Sequence, residues 1–259
     1  MRKYFTVFAI DWQNQFIYRL NFILWRFRNV LRVLMTYYLW ISIFSSQTSV
    51  FGYTKEQMIA YLLLALFISS LVTSSPSNDN VGGEVSNGTL NNFLVKPIGY
   101  LRYWFTRDLS SKLINIIFAV GEISLLYIIF RPSLYVSPNL ISLLLLVSAV
   151  IIYFLLGKLA ISIVFWAPEN TWGFMFTILV LMEMFTGLIF PLDLLPHWAF
   201  STLQFTPFPY LIYFPLASII GKPVDLRILL QSFVWMGILY YLLKKVWAKG
   251  LKTYSASGI

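Results

Sequence analysis

The sequence predicts an all-α membrane protein with six transmembrane helices, and three observations carry that reading. Of its 259 residues, 59% are hydrophobic and only 11% are charged, whereas a soluble domain is about 45–50% apolar and about 25% charged. The mean hydropathy of +0.75 extends over the whole chain, more than one soluble core of this size can hide. Lys and Arg fall on alternate sides of the apolar runs, as the positive-inside rule requires. The 19% aromatic content suits Trp and Tyr belts at two membrane–water interfaces.

Composition also excludes classes. The net charge of +9 does not point to nucleic acid, because the basic residues flank apolar runs and read as anchors on anionic lipid. With no cysteine and one histidine, no disulfide framework or Cys-based metal site exists, and no catalytic or metal-ligating set is expected. His197 stands alone beside Trp198 and reads as interfacial packing. Trp166, Trp172 and Trp247 read as belt anchors.

The first twenty residues do not read as a cleavable signal. Phe5, Phe8, Trp12 and Phe16 alternate with Thr6, Asp11, Gln13, Asn14 and Gln15, a helical, amphipathic spacing without the short apolar core of a signal. The expectation for 1–20 is an interfacial helix, apolar face down.

A span needs roughly 20 mostly apolar residues. Candidates run from Val33 to Thr54, Gln57 to Ser75, Leu113 to Phe130, Asn139 to Trp166, Trp172 to Phe190 and Leu226 to Trp247. All 259 residues read as one transmembrane domain, with a polar segment at 76–112 and an odd segment at 191–225. The latter holds Pro191, Pro196, Pro207, Pro209, Pro215 and Pro223, too many for a continuous helix. It also holds Phe200, Leu203, Phe205 and Phe208, too apolar for a water-exposed loop. Broken, re-entrant helices dipping into the outer leaflet satisfy both facts. With the N-terminus inside, fourteen Lys and Arg lie on the inner side. Only Lys55, Arg131, Lys222 and Arg227 lie outside. Both termini are therefore expected in the cytoplasm, in a bacterial plasma membrane.

Three ionisable residues fall within apolar runs: Glu122, Lys158 and Glu183. A charge at a helix centre costs about 2.5–3.5 kcal/mol on insertion scales, so such groups face protein or water. Lys158 reads as snorkelling to the near interface. For Glu122 and Glu183, a polar pathway, an interhelical Glu–Lys pair and a neutral hydrogen-bonded lock all fit.

The inner segment Gly82-Gly83-Glu84-Val85-Ser86-Asn87-Gly88-Thr89 superficially resembles a phosphate loop. It lacks the Lys after the second Gly, and no strand precedes it, so ATP is not expected to bind there. A short helix from about Glu84 or Gly88 to Lys96-Pro97 fits better, with Leu90, Phe93 and Leu94 on one face. Such a helix either docks into a partner groove or lies on the membrane.

Glu84, Gly88-Thr89-Leu90, Phe93-Leu94 and Lys96-Pro97 together resemble the loop after the second span in type-2 ATP-binding-cassette exporter permeases. Thr186-Gly187-Leu188-Ile189-Phe190-Pro191-Leu192, Leu195-Pro196-His197-Trp198, Thr206-Pro207-Phe208 and Pro215 resemble the stretch after their fifth span. The resemblance runs along the whole chain. It implies that the inner helix is a coupling helix seated in a separate ATPase subunit, which holds the ATP and Mg. This chain itself would bind no cofactor. Leu90, Phe93 and Leu94 would form the docking face, Glu84 and Lys96 its charged rim, and Gly88 and Pro97 its bounds. A second permease, identical or related, would complete a pathway. Pro191, Pro196, Trp198, Pro207 and Phe208 would belong to the outer gate. The implied function is export of an amphipathic or lipid-like substrate. An ion-coupled secondary transporter relaying through Glu122, Glu183 and Lys158, and a membrane insertase or lipid-handling factor, stand as alternatives.

Overall fold

Short polar caps between long apolar runs set the helix boundaries. The computed structural model describes residues 2–17, 19–74, 83–85, 87–95, 97–131 and 136–254. In chain order these form α1 (Arg2–Ile17), α2 (Arg19–Ile43), strands β1 (Ser49–Val50) and β2 (Tyr53–Thr54), α3 (Lys55–Val72), α4 (Asn91–Leu94), α5 (Tyr100–Phe130), α6 (Leu140–Ile161), α7 (Thr171–Phe185), α8 (His197–Gln204), α9 (Tyr213–Ile219) and α10 (Leu226–Thr253). Thr54 and Gln57 close a capping box on α3, and Asn139 and Ser142 close another on α6. Each box satisfies backbone donors that an apolar medium would leave unmet.

Four helices among the described residues are long and apolar enough to cross a membrane: α3, α5, α6 with the 3-10 turn that extends it to Phe165, and α10. The remaining two expected spans differ. Residues 171–185 of α7 number only 15, about 22 Å at 1.5 Å per residue, less than a hydrocarbon core of about 30 Å. Helix α2 has 25 residues but is displaced towards the N-terminus of the expected Val33–Thr54 run and carries Arg26, Arg28 and Arg32 within it. Its predicted second half is instead an antiparallel hairpin pairing Val50 with Tyr53. Phe51 and Gly52 both take positive φ, 50° and 82°, the conformation a two-residue hairpin turn needs. The expected 76–112 polar segment is likewise shorter, because α5 begins at Tyr100.

The core is built where α3, α6, α9 and α10 meet. Ala65 and Ala149 are wholly buried there, and their small side chains let the helix backbones approach. Buried serines bond to their own helix: Ser69 to the Leu66 carbonyl, Ser148 to Leu145 and Ser232 to Leu229. No polar atom of these hydroxyls then needs a partner from elsewhere.

Two ties fix the periphery. Lys112 of α5 donates to the carbonyls of Val72 and Ser74 at 2.6 and 2.9 Å, placing a cation at the negative end of α3. Arg26 of α2 binds Glu122 of α5 through the side of its guanidinium, Nε to Oε1 at 2.7 Å and Nη2 to Oε2. It also donates to Asn115 at 3.1 Å. The Arg26 and Glu122 side chains are only 7% and 16% exposed.

Removing one partner of a buried pair strands the other, at about 3–5 kcal/mol. Glu122→Leu is expected to lower the melting temperature of the detergent-solubilised protein more than Arg26→Leu does. A stranded carboxylate can take up a proton, whereas a guanidinium stays charged. The double variant Arg26→Leu/Glu122→Leu is expected to recover part of the loss, read by the same melts.

Gly250 gives a second test, since a Cβ there would lie 2.3 to 2.8 Å from ring atoms of Phe165. Gly250→Ala is expected to cost about 1–3 kcal/mol by overpacking. Gly237→Ala, where nothing lies within 4 Å, is expected to leave the melt unchanged or raise it slightly.

Candidate functional site

The two ends of α3 define the two ends of the bundle. At its C-terminal end lie α1, α4 and the start of α5. At its N-terminal end lie the hairpin and the segment after α7.

Residues 83–85, 87–95 and 97–99 form a tight elbow at the α1 end. Gly88 takes φ +73°, and the Leu90 amide donates to the Glu84 carbonyl at 2.9 Å, so the chain folds back on itself before α4. The apolar face that periodicity identifies is used inward. Leu90 is fully buried. Phe93 packs its ring against Tyr100, Tyr103 and Trp104 with centroids 5.8, 5.0 and 6.5 Å away. The expectation that Leu90 and Phe93 form an outward docking face is therefore corrected: a one-turn helix has room for one apolar face, and this chain's own aromatics occupy it. Glu84 lies beside the same aromatics. It is half-buried and accepts from the Tyr100 hydroxyl at 2.7 Å. Burial pushes its carboxyl above the ordinary range, while the Tyr100 hydrogen bond and the positive charges of Arg107 and Lys158 oppose that rise. Among the described side chains, Asn91 and Asn92 of α4 and Val95 just after it are exposed, the last 83%, with exposed Pro97 beyond. Lys96 and the side chain of Leu94 lie outside the described residues.

Four elements clamp this elbow. Tyr100 stacks on Trp247 of α10 at 5.0 Å. Trp104, fully buried, lies under the Lys158 ammonium of α6 at 5.2 Å and the Arg107 guanidinium at 4.6 Å. Arg107 in turn donates to Asp11 of α1 at 2.6 Å, and Gln15 of α1 reaches Asp11 and Ser111. Lys3 donates to the Pro97 carbonyl at 2.6 Å. Thus α1 turns Asp11 inward and leaves Phe5, Ile10 and Phe16 exposed. Lys158 does not snorkel: it is fully buried among aromatic faces.

Glu122 and Glu183 have arginine partners rather than lysine ones. Glu122 pairs with Arg26, and Glu183 accepts from Arg32 at 2.8 Å with Arg28 at 3.9 Å. Sequence reasoning placed all three arginines in the inner flank and so missed them as partners. The available signal was the pair of carboxylates in apolar runs, each of which demands a cation at the same depth. The pairs differ in kind. Arg26–Glu122 is closed off by protein, whereas Arg28, Arg32 and Glu183 are 52%, 26% and 32% exposed.

At the hairpin end, Gly187 takes φ +84° and its carbonyl accepts from the buried Tyr61 hydroxyl at 2.6 Å. A Cβ on Gly187 would meet Tyr213 and Tyr61 at 2.9 Å. Pro191 is buried before a 3-10 turn and Pro196 caps α8, which exposes Trp198. Pro207 is buried, and Phe208 packs on Phe185 at 6.2 Å. The expected outer-gate residues are thus dispersed along broken helices. A polar latch holds the region: Asp193 accepts from Tyr53 at 3.0 Å and from Lys222 at 2.5 Å.

Known proteins place this architecture. No curated protein matches the chain. A family model described as "ABC-2 family transporter protein" matches residues 30–258, from within α2 to beyond the end of α10. The match covers most of the 259 residues, so the chain belongs to the ABC-2 family of transporter membrane subunits.

Proposed function

We propose that this chain is one half of the membrane pathway of an ATP-driven exporter, coupled to a separate cassette ATPase through the α4 elbow. The family is one of membrane transport subunits that are not themselves catalytic. ATP and Mg belong, in this reading, to the ATPase. The complete pathway has six spans in each of two permeases, identical or related. Both termini lie in the cytoplasm of a bacterial plasma membrane. Setting aside Arg26, Arg28 and Arg32 of α2, eleven Lys and Arg remain on that side against four on the other. The segment after α7 forms re-entrant helices that close the outer end.

One observation carries the coupling reading. A small polar-tipped helix projects Val95 while its other face is locked by Leu90 and Phe93 into aromatics of α5 and, through Tyr100, onto Trp247 of α10. A push on α4 is therefore a push on two spanning helices, as a rigid-body coupling device requires. The docking surface becomes Asn91, Asn92 and Val95 in place of Leu90 and Phe93.

Val95→Asp introduces a charge where nothing in this chain is buried. It is expected to leave the melting temperature unchanged and to weaken co-purification of the cognate ATPase about tenfold, the scale of one interface anchor. Phe93→Asp is expected to destabilise the elbow itself. Unaltered ATPase binding and transport by Val95→Asp would exclude α4 as the coupling helix.

A further inference from the structure

A cavity of about 170 Å³ lies between α1 and α5, lined by Val7, Ile10, Asp11, Asn14, Tyr103 and Arg107. That is room for roughly five or six waters at about 30 Å³ each, and short of the roughly 300 Å³ that a drug-sized ligand needs. It adjoins two exposed side chains, Ile10 and Asn14. Asp11 and Arg107 bring opposite charges to its wall. Arg107 gives its Nε to Asp11 at 2.6 Å, and a guanidinium carries five donors, so donors remain beyond that bond. Asp11 accepts from Arg107 on Oδ1 and from Gln15 on Oδ2, and each carboxylate oxygen can accept again.

The height of the cavity follows from α3. Its 18 residues measure about 27 Å, close to a hydrocarbon thickness of about 30 Å. With α3 crossing the bilayer, its Val72 end stands at the edge of the apolar layer. Lys112 is bonded to that end, and Arg107 precedes it by five residues in α5, about 7 Å further out. That is the depth of lipid head groups. Helix α1 runs parallel to α5, since Lys3 meets Pro97, Asp11 meets Arg107 and Gln15 meets Ser111. Ile17 therefore lies two turns nearer the apolar layer than Ile10, on the same helix face, and the two are 70% and 53% exposed. A pocket bearing both charges thus sits at head-group depth, with an apolar track leading from it into the bilayer.

We infer that this cavity holds the head group of a membrane phosphatidylethanolamine, with its phosphate on Arg107, its ammonium on Asp11 and its acyl chains along Ile10 and Ile17. Guanidinium donors match phosphate oxygens, and an ammonium supplies three N–H donors to a carboxylate. A purely anionic head group would bring its charge against Asp11. A choline head group has no N–H to give Asp11.

The test uses the full chain, delipidated in dodecyl maltoside, and counts bound lipid by native mass spectrometry. The probes are the dioleoyl forms of phosphatidylethanolamine, phosphatidylglycerol and phosphatidylcholine. The ethanolamine lipid is expected to occupy one site about tenfold more tightly than either of the others, the scale of one charge-assisted hydrogen bond. Asp11→Asn is expected to weaken it about tenfold and to leave phosphatidylglycerol binding no weaker, a change of selectivity that loss of packing alone would not give. Lys249→Gln, at an exposed position on α10, is expected to bind like the parent. Soluble phosphoethanolamine, which has no chains for the apolar track, is not expected to displace the lipid at equal concentration.

Equal binding of the three lipids overturns the inference, and so does an Asp11→Asn chain that keeps the parent's preference. Displacement by soluble phosphoethanolamine would remove the acyl chains from the site and overturn the lipid as its occupant. Should Asp11→Asn fail to fold, Val7→Trp decides, because it fills the cavity and leaves both charges in place. Loss of the tightly held ethanolamine lipid is expected. Unchanged lipid binding by Val7→Trp overturns the inference, and if that variant also loses the ATPase on co-purification, the cavity receives a protein side chain instead. Lipid binding is read without ATPase, nucleotide or transport, so its failure leaves the coupling test at Val95 standing.

Discussion

Every ionised side chain within this bundle must be answered at its own depth, and that constraint organises the structure. Water is not there to solvate a carboxylate inside an apolar medium, so the protein supplies the counter-charge. Glu122 is held by Arg26 and Glu183 by Arg32. Both answers come from α2, which fixes where that helix packs against α5 and α7. The same rule governs the α1 end, where Asp11 meets Arg107 and the Lys112 ammonium sits on the free carbonyls of α3.

The rule separates two kinds of charge. Pairs sealed by protein, such as Arg26–Glu122, hold helices in register. The Arg28–Arg32–Glu183 group is only partly covered by this chain, so it cannot act as a sealed register pin of that kind.

At the opposite extreme of exposure, the α4 elbow shows how aromatic packing replaces charge as a connector. Trp104 lies under Lys158 and Arg107 and meets Phe93 at a tilt and Tyr100 in a T-shaped contact. Such contacts transmit displacement because aromatic faces interlock and do not slide freely. The elbow is small, but it touches α1, α5 and, through Tyr100, α10, so its movement is not local.

The sequence alone determined the medium and the broad plan. Its apolar runs, the amphipathic spacing of the first helix and the proline cluster after Phe190 all follow from local propensity and period, which residues carry individually. The tertiary structure decided what the same residues face. Leu90 and Phe93 have the spacing of a docking face, yet they are buried by Tyr100, Tyr103 and Trp104, which periodicity cannot locate. The arginines of α2 look like an inner flank until Glu122 and Glu183 are brought beside them. Ser49 to Thr54 looks like the end of a span until the positive φ of Phe51 and Gly52 closes a hairpin. In each case the deciding energy comes from a partner distant in sequence, and pairing across that distance exists only once the helices have packed.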